Sequence, residues 1–188
     1  MRFRLGPVPS EFHDNAVLTV VAQCPGATEL EKGRPLVGRS GKLHDVTVQK
    51  AKHSRQSANI VNVIECRVPE EFNDDLEAYL KWLRTNHPDA KTPIECCAPR
   101  FQRHIANSQA LLIYGATALK AVTKLDGVTK YAGHPIENVD LPITGKKVFA
   151  VPTPHPAATL RDLRGLKAYE RHVDRAFRIA TTGRTEWV

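Results

Sequence analysis

The stretch AVLTVVAQCPG, Ala16–Gly26, decides how this chain is read. Val17–Ala22 is a continuous apolar run of strand length, the pattern of a strand buried on both faces, and it stops abruptly at Cys24-Pro25-Gly26. Working outward, Asn59–Ile64 (NIVNVI), Leu111–Tyr114 and Lys147–Val151 repeat that pattern. Helical segments are expected between them. Lys42 to about Lys52 follows a Gly-rich basic loop, and Phe72–Asn86 places Phe72, Leu76, Tyr79, Leu80 and Leu83 on one face, with Pro88 enforcing a stop. Cys97–Asn107, Ala116–Thr123 and a long C-terminal helix from about Leu163 to Ala180 complete the set, with a turn around Gly133–Pro135.

Strands alternating with helices imply βαβ units. The expected fold is therefore a single domain over residues 1–188, with a core of about 17–180. It is α/β: a three-layer α/β/α sandwich around a mostly parallel, four-stranded central sheet. In such sheets ligands bind outside the carboxyl ends of the strands. The Cys24-Pro25-Gly26 turn, the chain after Asn62 and the PTPHP segment (Pro152–Pro156) each follow a strand, so all three should converge on one edge.

The 188 residues are 41% hydrophobic and 25% charged, an ordinary globular composition. No apolar run approaches membrane-spanning length, and Pro and acidic residues stand where a signal peptide needs its apolar core. A cytoplasmic, single-domain monomer is expected, with no membrane partner. The formal charge of +7 points to a polyanion such as DNA, because Lys and Arg gain free energy by displacing counterions from phosphates. Four cysteines, two of them adjacent at Cys96–Cys97, are too few for a disulfide scaffold, which leaves reduced thiols or a partial metal site.

Five blocks in order carry a family resemblance. Ala22–Asp45 reads AQCPGATELEKGRPLVGRSGKLHD, Asn59–Pro69 reads NIVNVIECRVP, and Pro93–Pro99 reads PIECCAP. They are followed by LLIYGATAL at Leu111–Leu119 and VPTPHPAATLR at Val151–Arg161. Together they resemble the uracil-DNA glycosylase superfamily, most closely its iron–sulfur-type fourth family. That resemblance implies a DNA glycosylase acting in base excision repair, which flips a nucleotide out of the stack and hydrolyses its N-glycosidic bond.

The chemistry builds negative charge on the departing base, so hydrogen-bond donors aimed at a base carbonyl are required. The resemblance gives this role to His155, held between Pro154 and Pro156. It gives recognition of the base edge to Asn62, whose amide offers both a donor and an acceptor. Gln23, Cys24, Pro25 and Gly26 would frame the base, with Gln23 positioning water, and Leu36 would wall the pocket. Contacts to DNA are implied at Ser40, Lys42, Leu160 and Arg161. Bland alternatives stand beside these: Leu36 as a plain core residue, Leu160 and Arg161 as an ordinary helix start.

The chain departs from the family at two places. Gln23 stands where a Glu is usual, and Leu36 where a Phe would stack on the base. Neither Gln23 nor Cys24 supplies a carboxylate base, so a catalytically weak or inactive DNA-binding relative is the alternative. The family's 4Fe-4S cluster uses four cysteines, of which Cys66 and Cys97 have counterparts here; the N-terminal cysteine pair does not, so no cofactor is expected. A branch of the superfamily traps the sugar covalently through a histidine in a loop comparable to the one holding His87. Finally, Arg161, Arg164, Lys167, Arg171, Arg175 and Arg178 form a basic stripe opposite an apolar face of Leu163, Leu166, Val173 and Phe177, suited either to phosphates or to solvent.

Overall fold

The computed structural model describes residues 7–185. Its sheet has five strands: β1 (Leu18–Ala22), β2 (Ala58–Asn62), β3 (Ala110–Tyr114), β4 (Ile136–Asp140) and β5 (Lys147–Thr153), in the order β2-β1-β3-β5-β4. The pairs β1–β2, β1–β3 and β3–β5 are parallel. The four expected strands are present, and a fifth joins them: β4 runs antiparallel to β5 at the sheet edge. Its sequence, IENVD, buries only Val139, and a register shift falls between Ile136 and Val139. A polar, bulged edge strand carries none of the continuous apolar pattern by which its neighbours are recognised.

Alternation along the strands divides the core in two. Val21, Val61, Leu111, Ile113 and Ala150 face one way. Val20, Ile60, Leu112, Tyr114 and Val151 face the other. The first face is covered by α3 (Leu76–Asn86), α4 (Pro93–Ile105) and α5 (Ala116–Thr123), through Tyr79, Phe101, Ile105 and Leu119. The second is covered by α2 (Arg39–Lys50) and α8 (Leu166–Thr182), through Val48, Tyr169, Val173 and Phe177. Short helices α1 (Ala27–Lys32), α6 (Val128–Tyr131) and α7 (Pro156–Arg161) lie in the connections. This is the three-layer α/β/α arrangement.

Helix boundaries depart from the expected ones for local reasons. The helix expected at Phe72 begins at Leu76, because Asn73 and Asp74 adopt left-handed backbone and Asp75 caps the helix by accepting from Ala78 N–H at 3.0 Å. The helix expected at Cys97 begins at Pro93: Thr92 and Glu95 form a capping box, and proline suits the first turn. The helix expected from Lys42 begins at Arg39. The C-terminal helix begins at Leu166 after a single tight turn, which leaves Leu163 exposed rather than on the apolar face. The basic stripe is shorter than its spacing suggests. Arg161 and Arg164 precede α8, and Arg175 is buried, donating to the carbonyls of Gly133 (2.8 Å) and Thr185 (2.7 Å).

Candidate active site

The carboxyl ends of the four parallel strands lie side by side. Ala22 pairs with Asn62, Val21 with Ile113, and Tyr114 with Thr153. Gln23, Asn62, Gly115 and the Pro154–His155 segment therefore emerge along one edge, as expected for ligand binding in an open parallel sheet. Gly115, at φ 86, allows the chain to turn into α5 where a Cβ would come to 3.4 Å of the His155 Cβ.

His155 is the N-cap of α7, with Pro154 before it and Pro156 after it. Its Nδ1 accepts the Ala157 N–H at 3.1 Å, so in the neutral ring the proton resides on Nε2. Burial, and then the charge of Arg161, lower its pKa to about 4, which keeps the ring neutral near pH 7. The ring also stands edge-on to Tyr114, with centroids 6.2 Å apart. Tyr114 is itself tied by its hydroxyl to Tyr169 and to His44 Nδ1, each at 2.8 Å. The result is a half-buried imidazole of fixed tautomer with Nε2–H as its remaining donor.

Asn62 is 4% exposed, and its amide makes no hydrogen bond with the described residues. Its amide atoms retain a little contact with solvent rather than being sealed off unpaired. The Gln23 carbonyl accepts the Ile64 N–H at 2.9 Å, and its side-chain Oε1 accepts from Thr117 Oγ1 at 3.3 Å. Cys24 packs against the apolar core, and burial, followed by the charge of Asp74, pushes its thiol up to about 12. It is neither a base nor a ready nucleophile. Pro25 is buried and Gly26 caps α1.

Glu29 is a residue whose role the sequence conceals. Buried to 9% exposure, its carboxylate accepts from Gly26 N–H at 3.2 Å, Val37 N–H at 3.0 Å and Gly38 N–H at 2.7 Å. It staples the Gln23–Gly26 turn to the Gly33–Gly38 loop. Leu36, in that loop, is 6% exposed and packs with Ala22, Tyr114 and the second core cluster. Its φ of 51° is left-handed, a conformation that costs a non-glycine residue of order 1–3 kcal/mol and persists only where the surroundings enforce it.

The remaining expected positions divide into three groups. Ser40 lies in the first turn of α2 and Lys42 is exposed on it, while α7, carrying Leu160 and exposed Arg161, packs against that helix. His87 is exposed at the C-terminal end of α3, its ring against Trp82 (5.2 Å) and its cavity lined by Leu83, Arg84, Pro88–Thr92 and Glu95 rather than by the carboxyl-edge residues. Cys66, Cys96 and Cys97 border an apolar cavity of about 280 Å³ with Leu76, Tyr79 and Leu83. Cys24 is not among the lining residues. Among the described residues no three His, Cys, Asp or Glu side chains are grouped so as to hold a metal ion. No helix among the described residues is long and apolar enough to cross a membrane.

Comparison with known proteins is consistent with this geometry. Residues 9–178 match the family model described as the uracil DNA glycosylase superfamily. The type-4 uracil-DNA glycosylase of Thermotoga maritima is 31% identical over 163 residues, covering 85% of this chain and 74% of that protein. The type-4 uracil-DNA glycosylase of Pyrobaculum aerophilum is 29% identical over 164 residues, 85% of this chain and 76% of that protein. That of Sulfurisphaera tokodaii is 27% identical over 167 residues, 85% and 68% respectively.

Proposed function

The chain belongs to the uracil DNA glycosylase superfamily, and from that premise we propose that it is a DNA glycosylase excising uracil or a related base in base excision repair. The observation that carries this reading is the fixed neutral state of His155. With Nδ1 occupied by the Ala157 N–H, Nε2–H is available to a base carbonyl. That hydrogen bond strengthens as the C1′–N1 bond breaks and charge collects on the base, so it lowers the barrier rather than merely tightening binding.

The other site residues take supporting roles in this reading. The unpaired Asn62 amide meets the donor–acceptor edge of a flipped pyrimidine, and Leu36 and the Gln23–Gly26 turn bound the pocket. As the C1′–N1 bond breaks, water adds its oxygen to C1′ and releases one proton to solvent, and the base leaves as an anion that takes up a proton. Gln23 orients that water without removing its proton. A missing general base is worth roughly 10²–10⁴ in rate, so slow turnover is expected. Ser40, Lys42, Leu160 and Arg161 contact the DNA, on which the protein acts as a cytoplasmic monomer without a cofactor.

A second reading, a relative that binds a base or abasic site without efficient cleavage, is favoured by one observation: the turn holds Gln23 and a protonated Cys24 thiol and no carboxylate. Incubating the protein with a uracil-containing oligonucleotide, then treating with alkali and running a denaturing gel, distinguishes the two. Strand scission after alkali is the expected result. Binding without scission would leave the second reading standing, and a protein–DNA band surviving denaturation would point to covalent capture instead.

A further inference from the structure

Arg55 belongs to no motif, yet all five of its guanidinium N–H donors are committed. Nε and Nη2 donate to the two carboxylate oxygens of Glu11 at 2.9 and 3.0 Å. Nη1 donates to Asp45 at 3.1 Å and to the Leu36 carbonyl at 2.8 Å, and Nη2 donates to the Pro35 carbonyl at 2.6 Å. The side chain is 12% exposed. Burial alone would raise the Glu11 carboxyl, but hydrogen bonds from Arg55 and His13 hold it down at about 2, so the pair stays charged.

These bonds act on a short loop that is gripped from both sides. Arg55 takes the carbonyls of Pro35 and Leu36, and Glu29 takes the N–H groups of Val37 and Gly38. Between the two grips Leu36 sits at φ 51°, and its carbonyl lies only 1.9 Å from where a Cβ on Gly41 would be. The anchors come from distant parts of the chain. Glu11 bridges to Ile60 in β2 through backbone bonds of 2.9 and 2.8 Å, and Asp45 is on α2.

We propose that Arg55 is a positioning residue for base excision: its guanidinium, anchored by Glu11 and Asp45, holds the Pro35–Leu36 carbonyls so that Leu36 forms the wall of the base pocket. This rests on the glycosylase reading above. A planar fork is required, because one ammonium cannot span two carbonyls and a carboxylate in this geometry. Arg55 touches no substrate and acts only through the loop.

The test is single-turnover excision of uracil from an oligonucleotide by wild type, Arg55→Ala and Arg55→Lys, with and without millimolar guanidinium chloride. Arg55→Ala is expected to slow the bound-state rate at least tenfold while changing oligonucleotide affinity less than threefold. Guanidinium should recover threefold or more of that rate where equal sodium chloride does not, and Arg55→Lys should stay slow. A purely structural role would lower the active fraction and leave the rate per folded molecule unchanged; that result, or the absence of guanidinium rescue, overturns the proposal. If Arg55→Ala does not fold, Asp45→Asn decides: a two- to fivefold slowing supports the clamp, and an unchanged rate overturns it. A wild-type protein that excises nothing overturns the glycosylase reading and this role with it. Amide exchange at Val37 and Gly38 then reports the clamp separately, accelerated by Arg55→Ala if the grip exists and unchanged if it does not.

Discussion

On the face of the sheet covered by α2 and α8, polar groups are threaded through the core. His44 is fully buried, with Nδ1 on the Tyr114 hydroxyl, which in turn meets the Tyr169 hydroxyl. On the face covered by α3, α4 and α5, packing is chiefly aliphatic and aromatic, with Phe101, Ile105 and Leu119 against Val21 and Ile113; its buried polar groups include the hydroxyl pair Ser108 on Thr19 at 2.7 Å and the Glu65 carboxylate paired with Arg100 of α4. The face under α2 and α8 also carries Leu36 and lies beneath His155 through Tyr114. Hydrophobic burial stabilises without specifying direction, whereas hydrogen bonds fix where a group points. The comparison therefore assigns orientation of the site to one face and bulk stability to the other.

Substitutions on each face can break that division. Phe101→Ala, in the apolar face, is expected to cost ~3–5 kcal/mol in urea unfolding while leaving the single-turnover rate per folded molecule unchanged; a slowed rate would show that this face also sets the site. His155→Ala is expected to reduce uracil excision by ~10²–10³-fold with little change in unfolding midpoint, and an unaltered rate would remove His155 from the reaction. Tyr114→Phe deletes the hydroxyl between His44 and Tyr169, so ~1–3 kcal/mol of stability should be lost along with a few-fold in rate. If it proves neutral in both, the polar thread carries no orientation. The smallest effect is expected from Cys66→Ser with Cys97→Ser, within about 1 kcal/mol and without loss of excision. Abolished activity there would reveal a thiol-bound group on which excision depends.

The sequence disclosed the parallel strands because strands buried on both faces are uninterrupted apolar runs, as in Val17–Ala22. It concealed β4, whose IENVD is mostly polar and bulged at a largely exposed edge. Of the candidate site, the placement of His155, Asn62 and the Gln23–Gly26 turn at one sheet edge was legible because they sit in local blocks next to strand ends. The Arg55–Glu11 pair was not. Its partners are 44 residues apart, neither residue type is unusual, and only the fold brings them to Leu36. Glu29 was visible as a nearby acid, but its three backbone N–H partners depend on how the Gly33–Gly38 loop closes. The exposure of Leu163 escaped a helical-spacing argument because α8 starts one turn later than the periodicity suggests, and the burial of Arg175 because the carbonyls that receive it, of Gly133 and Thr185, lie outside the helix.

The central claim is that a neutral His155 donates Nε2–H to the leaving base, and the pH dependence of single-turnover uracil excision tests it most directly. His155 has a folded-state pKa of about 4, below the ordinary histidine value of 6.5, so the competent form persists as pH falls until about 4. Protonation of Nδ1 would then set two N–H groups against each other at Ala157. Between those two values the unfolded chain binds a proton that the folded protein does not, so stability falls as pH is lowered and rates need correction to the folded fraction. The account predicts a corrected rate that is flat from pH 8 to about 5 and declines near 4. A rate that halves near pH 6.5, or one that rises as the ring becomes charged, would contradict it.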